Sequence, residues 1–228
     1  MASPTAPAAG PTAGPWSSRP PLACSPICPR EPVIVLDGWE VSGRASTAAL
    51  TLTDLSSLAK VLVKADPAGA YGATRLRFGR AARAPGGRLE IGSGPGEWLH
   101  LGPAGTAPAL VAELAAAELA ETPSGELVTV VDLTHGRALM RLTGHAAPTV
   151  LAKMCAIDLA DPVTPDLSAF RSSVAKTITD VVRDDVDGRR SYLLHCDRSF
   201  GQYLFDCVLD AGDAFGIDVS GFAARDLP

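Results

Sequence analysis

Residues 128–144 read VTVVDLTHGRALMRLTG, and this stretch decides the fold. Its first part, from Val128 to Val131, is an unbroken β-rich run that predicts a strand buried on both faces. Asp132 ends the run, and residues 134–136 (Thr-His-Gly) supply turn chemistry. Residues 138–142 then alternate as a second, half-buried strand would. The stretch therefore predicts strand, tight turn and strand, followed by a helix where helical apolar spacing begins.

A weaker copy of this stretch occurs earlier in the chain. Residues 50–65 read LTLTDLSSLAKVLVKA, again an apolar run that ends in Asp-Leu-hydroxyl and is followed by a second run. Alternation over residues 75–80 predicts one strand of a hairpin that turns at 84–87. Each copy leads into a helical segment, residues 107–120 in the first and 200–215 in the second. The repeated order predicts an α+β fold of two related ββαββα halves, with antiparallel or mixed sheets.

The proline content divides the chain into an arm and a folded unit. Residues 1–32 hold nine of the nineteen prolines, so the sequence predicts a disordered Pro/Ala-rich arm there. Residues 33–122 are assigned to the first half of the repeat and residues 123–228 to the second, as two parts of one compact unit. Trp16, the bulky residue of the arm, either docks on a partner or is incidental.

Composition and charge limit the classes of function. A hydrophobic content of 46% and a charged content of 20% are typical of a folded, soluble protein. The net charge of −5 offers no basic footprint, so the sequence predicts no nucleic acid partner. No segment approaches the ~18 uncharged apolar residues of a membrane span. No signal peptide is recognisable either, so the cytoplasm is the expected compartment.

Cysteine and histidine spacing predicts no metal site. Cys24 and Cys28 form a C-x3-C pair, whereas metal sites favour two-residue spacing and a second ligand pair. His100 and His145 have no carboxylate or cysteine at ligand spacing. The odd number of five scattered cysteines predicts free thiols and not a disulfide framework.

Two turn segments suggest ligand sites that the sequence does not favour. Gly92 to Gly96 (Gly-Ser-Gly-Pro-Gly) suggests a phosphate loop, but a strand-like segment, Glu97 to Leu101, follows it in place of a helix. The aspartates within residues 180–187 lack the glutamate of a calcium loop, so we expect them at a solvated hairpin tip. His195 and Cys196 are adjacent on a strand and should point to opposite faces, so they do not form a catalytic pair.

Asp132, His135 and Trp98 are candidate contacts for a ligand or a partner. A catalytic histidine held by a carboxylate would need a pair such as His135 and Asp132, together with a nucleophile. No serine lies in a nucleophile-elbow context, so the sequence favours a simpler interpretation, in which Asp132 caps a turn and His135 lies at its rim. Trp39 and Trp98 would be plausible interface anchors if exposed, because aromatic residues dominate interface energetics.

The last helix supplies two further contact candidates, Arg198 and Ser199. Ser199 stands three residues before Gln202, which is the spacing of a capping box, and Gly216 suits the C-terminal end. Arg198 could bind a carboxylate or phosphate at the helix N-terminus, or it could pair with Asp197 or with a partner subunit. We assign no catalytic residue, cofactor ligand or metal ligand in this chain.

Five parts of the sequence together resemble the gamma subunits of heterotetrameric sarcosine oxidases. They are PGEWLHLGP (95–103), VDLTHGR (131–137), KMCAID (153–158), Thr177 and RSFGQY (198–203), in order between about Leu50 and Gly216. That family is similar to the aminomethyltransferase (T-protein) family, whose two halves also open with Asp-Leu-Ser-His-like turns. The resemblance therefore implies an aminomethyltransferase-like folate-binding-domain fold, and it does not cover the proline-rich arm.

The resemblance also implies a complex of alpha, beta, gamma and delta subunits. Such a complex demethylates sarcosine oxidatively to glycine and peroxide, and it passes the one-carbon unit to tetrahydrofolate as co-substrate. FAD, FMN, NAD and zinc are implied on the other subunits and none on this chain, because the gamma subunit is associated with assembly. Related complexes act on other N-methyl amino acids, so the substrate stays open.

Two other functions stay open at this point. The first is a stand-alone folate-binding aminomethyltransferase that uses Asp132 and a cleft between the halves. Where that fold offers a histidine after Asp-Leu-Ser, however, the first copy has Ser57. The second is a stand-alone ligand-binding or regulatory domain, which would be monodisperse without partners.

Overall fold

A computed structural model of the chain describes residues 22–121 and 125–222, without the side chains of residues 118–121. The strands in these ranges are β1 (Val33–Leu36), β2 (Trp39–Ser42), β3 (Thr51–Asp54), β4 (Ala59–Lys64), β5 (Ala81–Ala84), β6 (Arg88–Gly94), β7 (Glu97–Gly102), β8 (Thr129–Asp132), β9 (Arg137–Thr143), β10 (Ala169–Val174), β11 (Thr177–Arg183), β12 (Ser191–Asp197) and β13 (Asp218–Ser220). The α helices are α1 (Ala70–Ala73), α2 (Ala107–Glu121), α3 (Ala147–Ala152) and α4 (Gly201–Gly212). None of the described helices is long and apolar enough to cross a membrane.

The strands form two large sheets and one hairpin. The six-stranded sheet has the order β10-β11-β12-β9-β3-β13, and the five-stranded sheet has the order β5-β6-β7-β4-β8. Strands β1 and β2 pair with each other, as a two-stranded sheet. Strand β13 runs parallel to β3, whereas the other paired strands are antiparallel. The prediction of an α+β fold with antiparallel and mixed sheets is confirmed.

The two halves exchange their opening strands. Strand β3 begins the first half of the repeat but pairs with β9 of the second half, with Leu52 opposite Leu142. Strand β8 makes the reciprocal exchange and pairs with β4, with Val131 opposite Leu62. Counted from β3 to α2 and from β8 to α4, each half has the order ββαβββα, which is one strand more than predicted; β1, β2 and β13 lie outside this repeated order. The exchange joins the halves into one unit, because neither large sheet is complete without a strand from the other half.

The additional first-half strand comes from the segment before the predicted hairpin turn. The prediction of a strand over residues 75–80 is wrong, since β5 pairs with β6 instead and places Ala81 opposite Ile91. Gly79 explains the difference, because its φ of +86° is a left-handed conformation that interrupts a strand. The hairpin itself and its turn after Ala84 are confirmed.

Strand β8 lies at the edge of the five-stranded sheet. The prediction that Val128 to Val131 is buried on both faces is wrong: β8 has only β4 beside it among the described strands, and Val131 is 37% exposed. Strand β9 has a neighbour on each side, and its side chains from Ala138 to Thr143 are all buried. An apolar β-branched run favours a strand but does not specify its position in a sheet.

The two large sheets pack face to face between layers of helices. Side chains from both sheets, among them Leu99 and Leu193, form the core between them. Helix α2 covers the outer face of the five-stranded sheet through Leu110 and Leu114. Helices α3 and α4 cover the outer face of the six-stranded sheet, where Leu204 is fully buried. Each fully buried leucine contributes roughly 1.5–3 kcal/mol relative to an exposed one.

Residues 22–32, which the sequence places in the disordered arm, lie against the folded unit. Ile27 is 1% exposed and belongs to the same core as α4. The Ser25 hydroxyl donates to Asp54 at 2.5 Å, and the Cys28 N–H donates to the Gln202 side-chain oxygen at 2.6 Å. Prolines exclude helix and central strand but do not prevent an extended segment from packing. The rest of the predicted arm, residues 1–21, lies outside the described residues.

Candidate functional site

Two Asp-Leu-hydroxyl turns lie where the halves exchange strands. In the first, Asp54 Oδ1 accepts a hydrogen bond from the Ser56 N–H at 2.9 Å. In the second, Asp132 Oδ1 accepts from the Thr134 N–H at 2.8 Å. Both are Asx turns, in which a carboxylate binds the backbone donor two residues on. This is the turn-capping role that the sequence predicts for Asp132.

Each turn binds the second strand of the other half. The Leu55 N–H donates to Leu139 O, and the Leu133 N–H donates to Lys60 O, both at 2.8 Å. The hydroxyls of the turns repeat this pattern: the backbone N–H groups of Leu139 and Lys60 each donate to the hydroxyl of the opposite turn, at 3.2 and 3.1 Å. The shared bonding makes Lys60 and Leu139 equivalent positions of the two halves.

These equivalent positions carry different side chains. Leu139 belongs to the core between the sheets, and Lys60 is 0% exposed. Lys60 Nζ donates to the carbonyl oxygens of Ser56 and Leu58 at 2.7 and 2.8 Å. Burial lowers the pKa of Lys60 from 10.5 to about 7, although two nearby carboxylates oppose the shift. A buried amine therefore stands where the other half has a leucine.

The two turn carboxylates also differ in their surroundings. Asp54 is buried, and burial raises its pKa, while hydrogen bonds from Ser25 and Ser56 oppose the shift. Asp132 is exposed, with its carboxylate bound to the backbone of its own turn. Desolvation of this kind, which tunes carboxylates for proton transfer, acts on Asp54.

Both tryptophans considered as interface anchors are buried. Trp98 is 3% exposed, its indole N–H donates to Leu76 O at 2.8 Å, and its ring packs edge-on against Tyr71. Trp39 is 4% exposed and stacks on the His135 ring, with 4.7 Å between ring centroids. The notion of exposed tryptophan anchors is therefore wrong, because each indole has partners within the fold that cover it.

His135 and Arg198 are neighbours in the fold. Arg198 donates from Nη1 to His135 O at 3.3 Å and from Nη2 to Cys24 O at 2.5 Å. Asp197 pairs instead with Arg137, at 2.6 Å. Arg198 thus joins the N-terminal segment to the turn that follows β8. A contact between a partner and Arg198 or His135 stays a prediction.

The predicted capping box at the start of α4 is wrong. A 3-10 turn, Arg198–Phe200, precedes the helix, and no side chain caps either segment. The Gln202 amide binds elsewhere, since its oxygen accepts from Cys28 and its nitrogen donates to Asp206. Because the 3-10 turn moves the first α-helical residue to Gly201, Ser199 and Gln202 do not take the two positions that a capping box requires. Ser199 remains exposed.

A groove of 390 Å³ opens between the two large sheets, beside the turn at Leu133. We call it the intersheet groove. Its apolar wall is formed by Leu62, Leu99, Leu133 and Ile178. Ile178 is 74% exposed, so this side chain borders both the groove and solvent.

Paired charges form the polar wall of the intersheet groove. Arg171 Nε donates to Asp180 Oδ1 at 2.6 Å, and Arg171 Nη2 donates to Glu97 Oε2 at 3.3 Å. Glu97 also pairs with Lys64 at 2.7 Å. Hydrogen bonds from Lys64 contribute most to lowering the pKa of Glu97. Since each of these cations faces a carboxylate, the wall is polar without a concentration of one charge.

His195 and Asp180 form the most buried part of that wall, with His195 Nδ1 3.4 Å from Asp180 Oδ2. Burial lowers the pKa of His195 although Asp180 opposes the shift. Burial by itself would raise the pKa of Asp180, but hydrogen bonds from His195 and Arg171 outweigh it and hold the pKa below its usual value. His195 Nε2 has no hydrogen-bond partner among the described residues, whereas a Ser-His-Asp triad needs a hydroxyl there.

The sequence interpretation missed Asp180 and Asp184 as interior residues. It places both at a solvated hairpin tip, which is wrong because they are 7% and 2% exposed. Asp184 pairs with the buried Arg141 at 2.7 Å. Asp180 is two residues from Val182 within β11, and this spacing signals that both face the same side of the sheet. The turn at residues 185–188 is confirmed, but the charged run begins inside the strand.

The five cysteines differ in their exposure to solvent. All five cysteines are free, and Cys196 is buried in the core of the six-stranded sheet. Burial raises the pKa of Cys196 to about 11. Across residues 22–121 and 125–222, no three His, Cys, Asp or Glu side chains lie together in a way that could hold a metal ion.

Comparison with known proteins adds the following relationships. No protein-family model matches the chain. The sarcosine oxidase subunit gamma of Arthrobacter sp is 30% identical over 152 residues, which cover 62% of this chain and 70% of that protein. A chain of the heterotetrameric sarcosine oxidase from Corynebacterium sp. U-96, solved in complex with pyrrole 2-carboxylate, has a similar fold. It superposes with a TM-score of 0.63 and 24% identity, over 75% of this chain and 88% of that one.

The fold also occurs in a longer enzyme. The glycine cleavage system aminomethyltransferase T from Bartonella henselae superposes with a TM-score of 0.64 and 18% identity. The match covers 85% of this chain and 56% of that protein. At this identity the likeness shows a shared fold, which agrees with the predicted aminomethyltransferase-like architecture.

Proposed function

We propose that this chain, which belongs to the family of sarcosine oxidase gamma subunits, is a non-catalytic subunit that assembles and stabilises a sarcosine oxidase-like complex. The observation that carries the proposal is the alignment with a gamma subunit over 70% of the length of that relative. The fold supports it, because a chain of a heterotetrameric sarcosine oxidase has the same architecture.

The proposed complex contains alpha, beta and delta subunits in the cytoplasm. It would demethylate sarcosine or a related N-methyl amino acid oxidatively and pass the one-carbon unit to tetrahydrofolate. FAD, FMN, NAD and zinc would be held by the other subunits, and this chain would hold none of them. The neutral wall of paired charges in the intersheet groove supports this division of roles, because Arg171 and Asp180 bind each other there.

Strand β1 is the surface best suited to meet a larger subunit. Its apolar side chains Val33, Ile34 and Val35 are 37%, 43% and 59% exposed. The strand pairs only with β2 among the described strands, and a two-stranded sheet is marginal without further packing. An apolar strand with an open edge invites pairing with another chain.

The hairpin presents this edge in a fixed conformation. The turn residues Asp37 and Gly38 have φ values of 46° and 81°, as a tight two-residue turn between twisted strands requires. The Gly43 N–H donates to Pro32 O at 2.7 Å, which sets the register of the strands. Alternate backbone groups of β1 then point away from β2, and those of Val35 lie on the open edge. A strand of a partner subunit could add there by main-chain hydrogen bonds.

Strand β2 attaches the hairpin firmly to the rest of the fold. Trp39 is buried against His135, and the Ser42 hydroxyl accepts from the Arg30 N–H at 2.8 Å. A preorganised edge loses less conformational entropy on binding than a mobile one. These contacts therefore support β1 as a docking strand rather than a loose loop.

Co-expression with the candidate alpha, beta and delta subunits, followed by size-exclusion chromatography, tests the proposal. We expect the chain to co-elute with them. Val35→Lys should weaken association about fivefold or more, because a lysine on an open edge opposes strand pairing. Ile178→Lys is the matched control, since it changes another exposed apolar strand residue that lies on the intersheet groove. Failure of the unmodified chain to co-elute would refute the proposed function. Equal effects of the two lysines would refute the role of β1.

A stand-alone aminomethyltransferase makes the opposite prediction. It would bind tetrahydrofolate and turn over without partners, and Asp132→Asn would abolish that turnover. Under the proposal the isolated chain shows no tetrahydrofolate-dependent turnover. The same variant then affects only the Asx turn, which asparagine also forms. Turnover by the purified chain that is lost in Asp132→Asn would replace the proposed function.

A further inference from the structure

A second cavity lies on the inner face of the six-stranded sheet. It has a volume of 330 Å³, within the range of about 300–1,000 Å³ that is common for small-molecule sites. Strands β3, β9 and β13, the loop of residues 45–48 and the hairpin between β11 and β12 surround it. We call it the hydroxyl pocket, after Ser46, Thr51, Thr53, Thr143 and Ser220 in its lining. It is separate from the intersheet groove, with which it shares no lining residue.

Strand alternation places these hydroxyls on one face. Thr51 and Thr53 are two positions apart on β3, and β9 places Thr143 opposite Thr51. Thr53 is 4% exposed, yet its hydroxyl makes no hydrogen bond to another described residue. This hydroxyl borders the pocket, so it is placed to form a hydrogen bond with a polar group bound there.

Arg141 is a buried side chain beside the hydroxyls. Its side chain is 2% exposed and lines the pocket. Both terminal nitrogens are occupied: Nη2 donates to Asp184 Oδ2 at 2.7 Å, and Nη1 donates to Asp184 O at 3.1 Å and to the Ser191 hydroxyl at 2.9 Å. Arg141 Nε has no partner among the described residues. The bonds from Nη1 and Nη2 hold Arg141 in place in the lining of the pocket.

The hairpin that borders the pocket adds a further cation. Arg189 lines the pocket, is partly exposed and forms no ion pair with a described residue. The carboxylate in the lining is that of Asp187, which is exposed at the hairpin tip. Donors thus dominate the interior, where Thr53 and Arg141 lie, and the acceptor is at the solvent side.

We propose that the hydroxyl pocket binds a small anion through a carboxylate or phosphate group. Arg189 supplies the positive charge, and Arg189 and Thr53 donate hydrogen bonds to its oxygens. The proposal does not depend on the assignment to a sarcosine oxidase-like complex, because it concerns binding by this chain itself.

Isothermal titration calorimetry on the full-length chain, in a buffer low in chloride, tests the proposal. Inorganic phosphate and acetate are titrated separately, so the experiment distinguishes the two oxygen-bearing groups. We expect saturable binding of at least one of them. Arg189→Gln should weaken that binding about fivefold, as expected for a partly exposed charge contact of about 1 kcal/mol. Thr53→Val, which keeps the side-chain shape, should weaken it roughly tenfold.

Arg190→Gln is the matched control. Arg190 follows Arg189 in the chain but pairs with Asp161 at 2.6 Å and does not line the pocket. The Arg190→Gln variant loses the same charge as Arg189→Gln, so the long-range electrostatic effects of the two changes are similar. Its affinity for phosphate or acetate should stay near that of the unmodified chain. Thermal unfolding measures whether Thr53→Val is folded. If that variant does not fold, Arg189→Gln still tests the proposal. Absence of saturable binding by both anions would overturn the proposal, as would equal weakening by Arg189→Gln and Arg190→Gln.

Discussion

Replacing Lys60 by methionine should remove a rise of stability with pH. Lys60 is fully buried between the sheets, and burial lowers its pKa from 10.5 to about 7. Between these two values the unfolded chain binds one proton more than the folded chain does. The free energy of unfolding therefore increases with pH across this window, by up to about 1.4 kcal/mol for each pH unit.

The size of the effect follows from the same shift. A fall of the pKa from 10.5 to about 7 corresponds to about 5 kcal/mol of penalty on the charged amine. The penalty is fully present below pH 7 and disappears above about pH 10.5. A neutral amine has two N–H groups, which match the two carbonyl oxygens that Lys60 Nζ contacts, those of Ser56 and Leu58. The geometry thus agrees with an amine that loses its proton easily.

Urea unfolding at pH 7.5, 8.5 and 9.5 measures the effect. We compare the slope of unfolding free energy against pH for the unmodified chain and for Lys60→Met, so that contributions from other groups cancel. The methionine variant should lack about 1.4 kcal/mol per pH unit of that slope. The absolute stability of this variant is less informative about the pKa of Lys60, because the substitution also leaves two carbonyl oxygens without a donor. Lys64→Met removes an exposed lysine from the same strand and should keep the slope of the unmodified chain. Equal slopes for the Lys60 variant and the unmodified chain would refute the reasoning.

Three further outcomes test other parts of the structure. Asp180→Asn should lower the free energy of unfolding at pH 7 by about 1–3 kcal/mol, because Arg171 loses the closer of its two carboxylate partners and keeps only Glu97. The lowered pKa of Asp180 makes this difference shrink as the pH falls below its unfolded value of about 3.8, which acid titration of both proteins would show. A thiol reagent at pH 8 should modify the exposed Cys24 rapidly and Cys196 only after denaturation. Peptide mass spectrometry can follow both reactions. Fast modification of Cys196 in the folded chain would contradict its burial. Leu204→Ala should cost about 2–5 kcal/mol in urea unfolding, and a loss below about 1 kcal/mol would mean that α4 packs loosely.

The elements with local causes could be predicted from the sequence. The Asp132 turn could be predicted because an Asx turn is formed within three residues. The hairpin between β6 and β7 could be predicted because the strand-like segment that follows Gly96 excludes a phosphate loop. The structure agrees, since Gly96 has a φ of +70°, a conformation that favours glycine. The order of strands and helices followed from alternation and helical spacing, apart from the strand interrupted at Gly79.

The candidate sites could not be predicted in the same way. Asp180 belongs to a charged run that is typical of a hairpin tip, and its burial depends on His195, 15 residues further along the chain. Thr53 and Arg141 are far apart in the sequence, and the pairing of β3 with β9 brings them opposite each other. No single one of these residues indicates a site in the sequence. The site becomes recognisable only when the fold brings them together in one cavity.

By itself, the sequence determined a duplicated order of elements and the two Asx turns that open the halves, because both depend on side chains within a few positions of each other. The tertiary structure alone decided that β3 and β8 change places between the sheets. The bonds that hold this exchange join residues 83 and 74 positions apart, at Ser56 with Leu139 and at Lys60 with Thr134. Local patterns favour a strand but do not select its neighbour, and the choice of neighbour decides which polar side chains are buried.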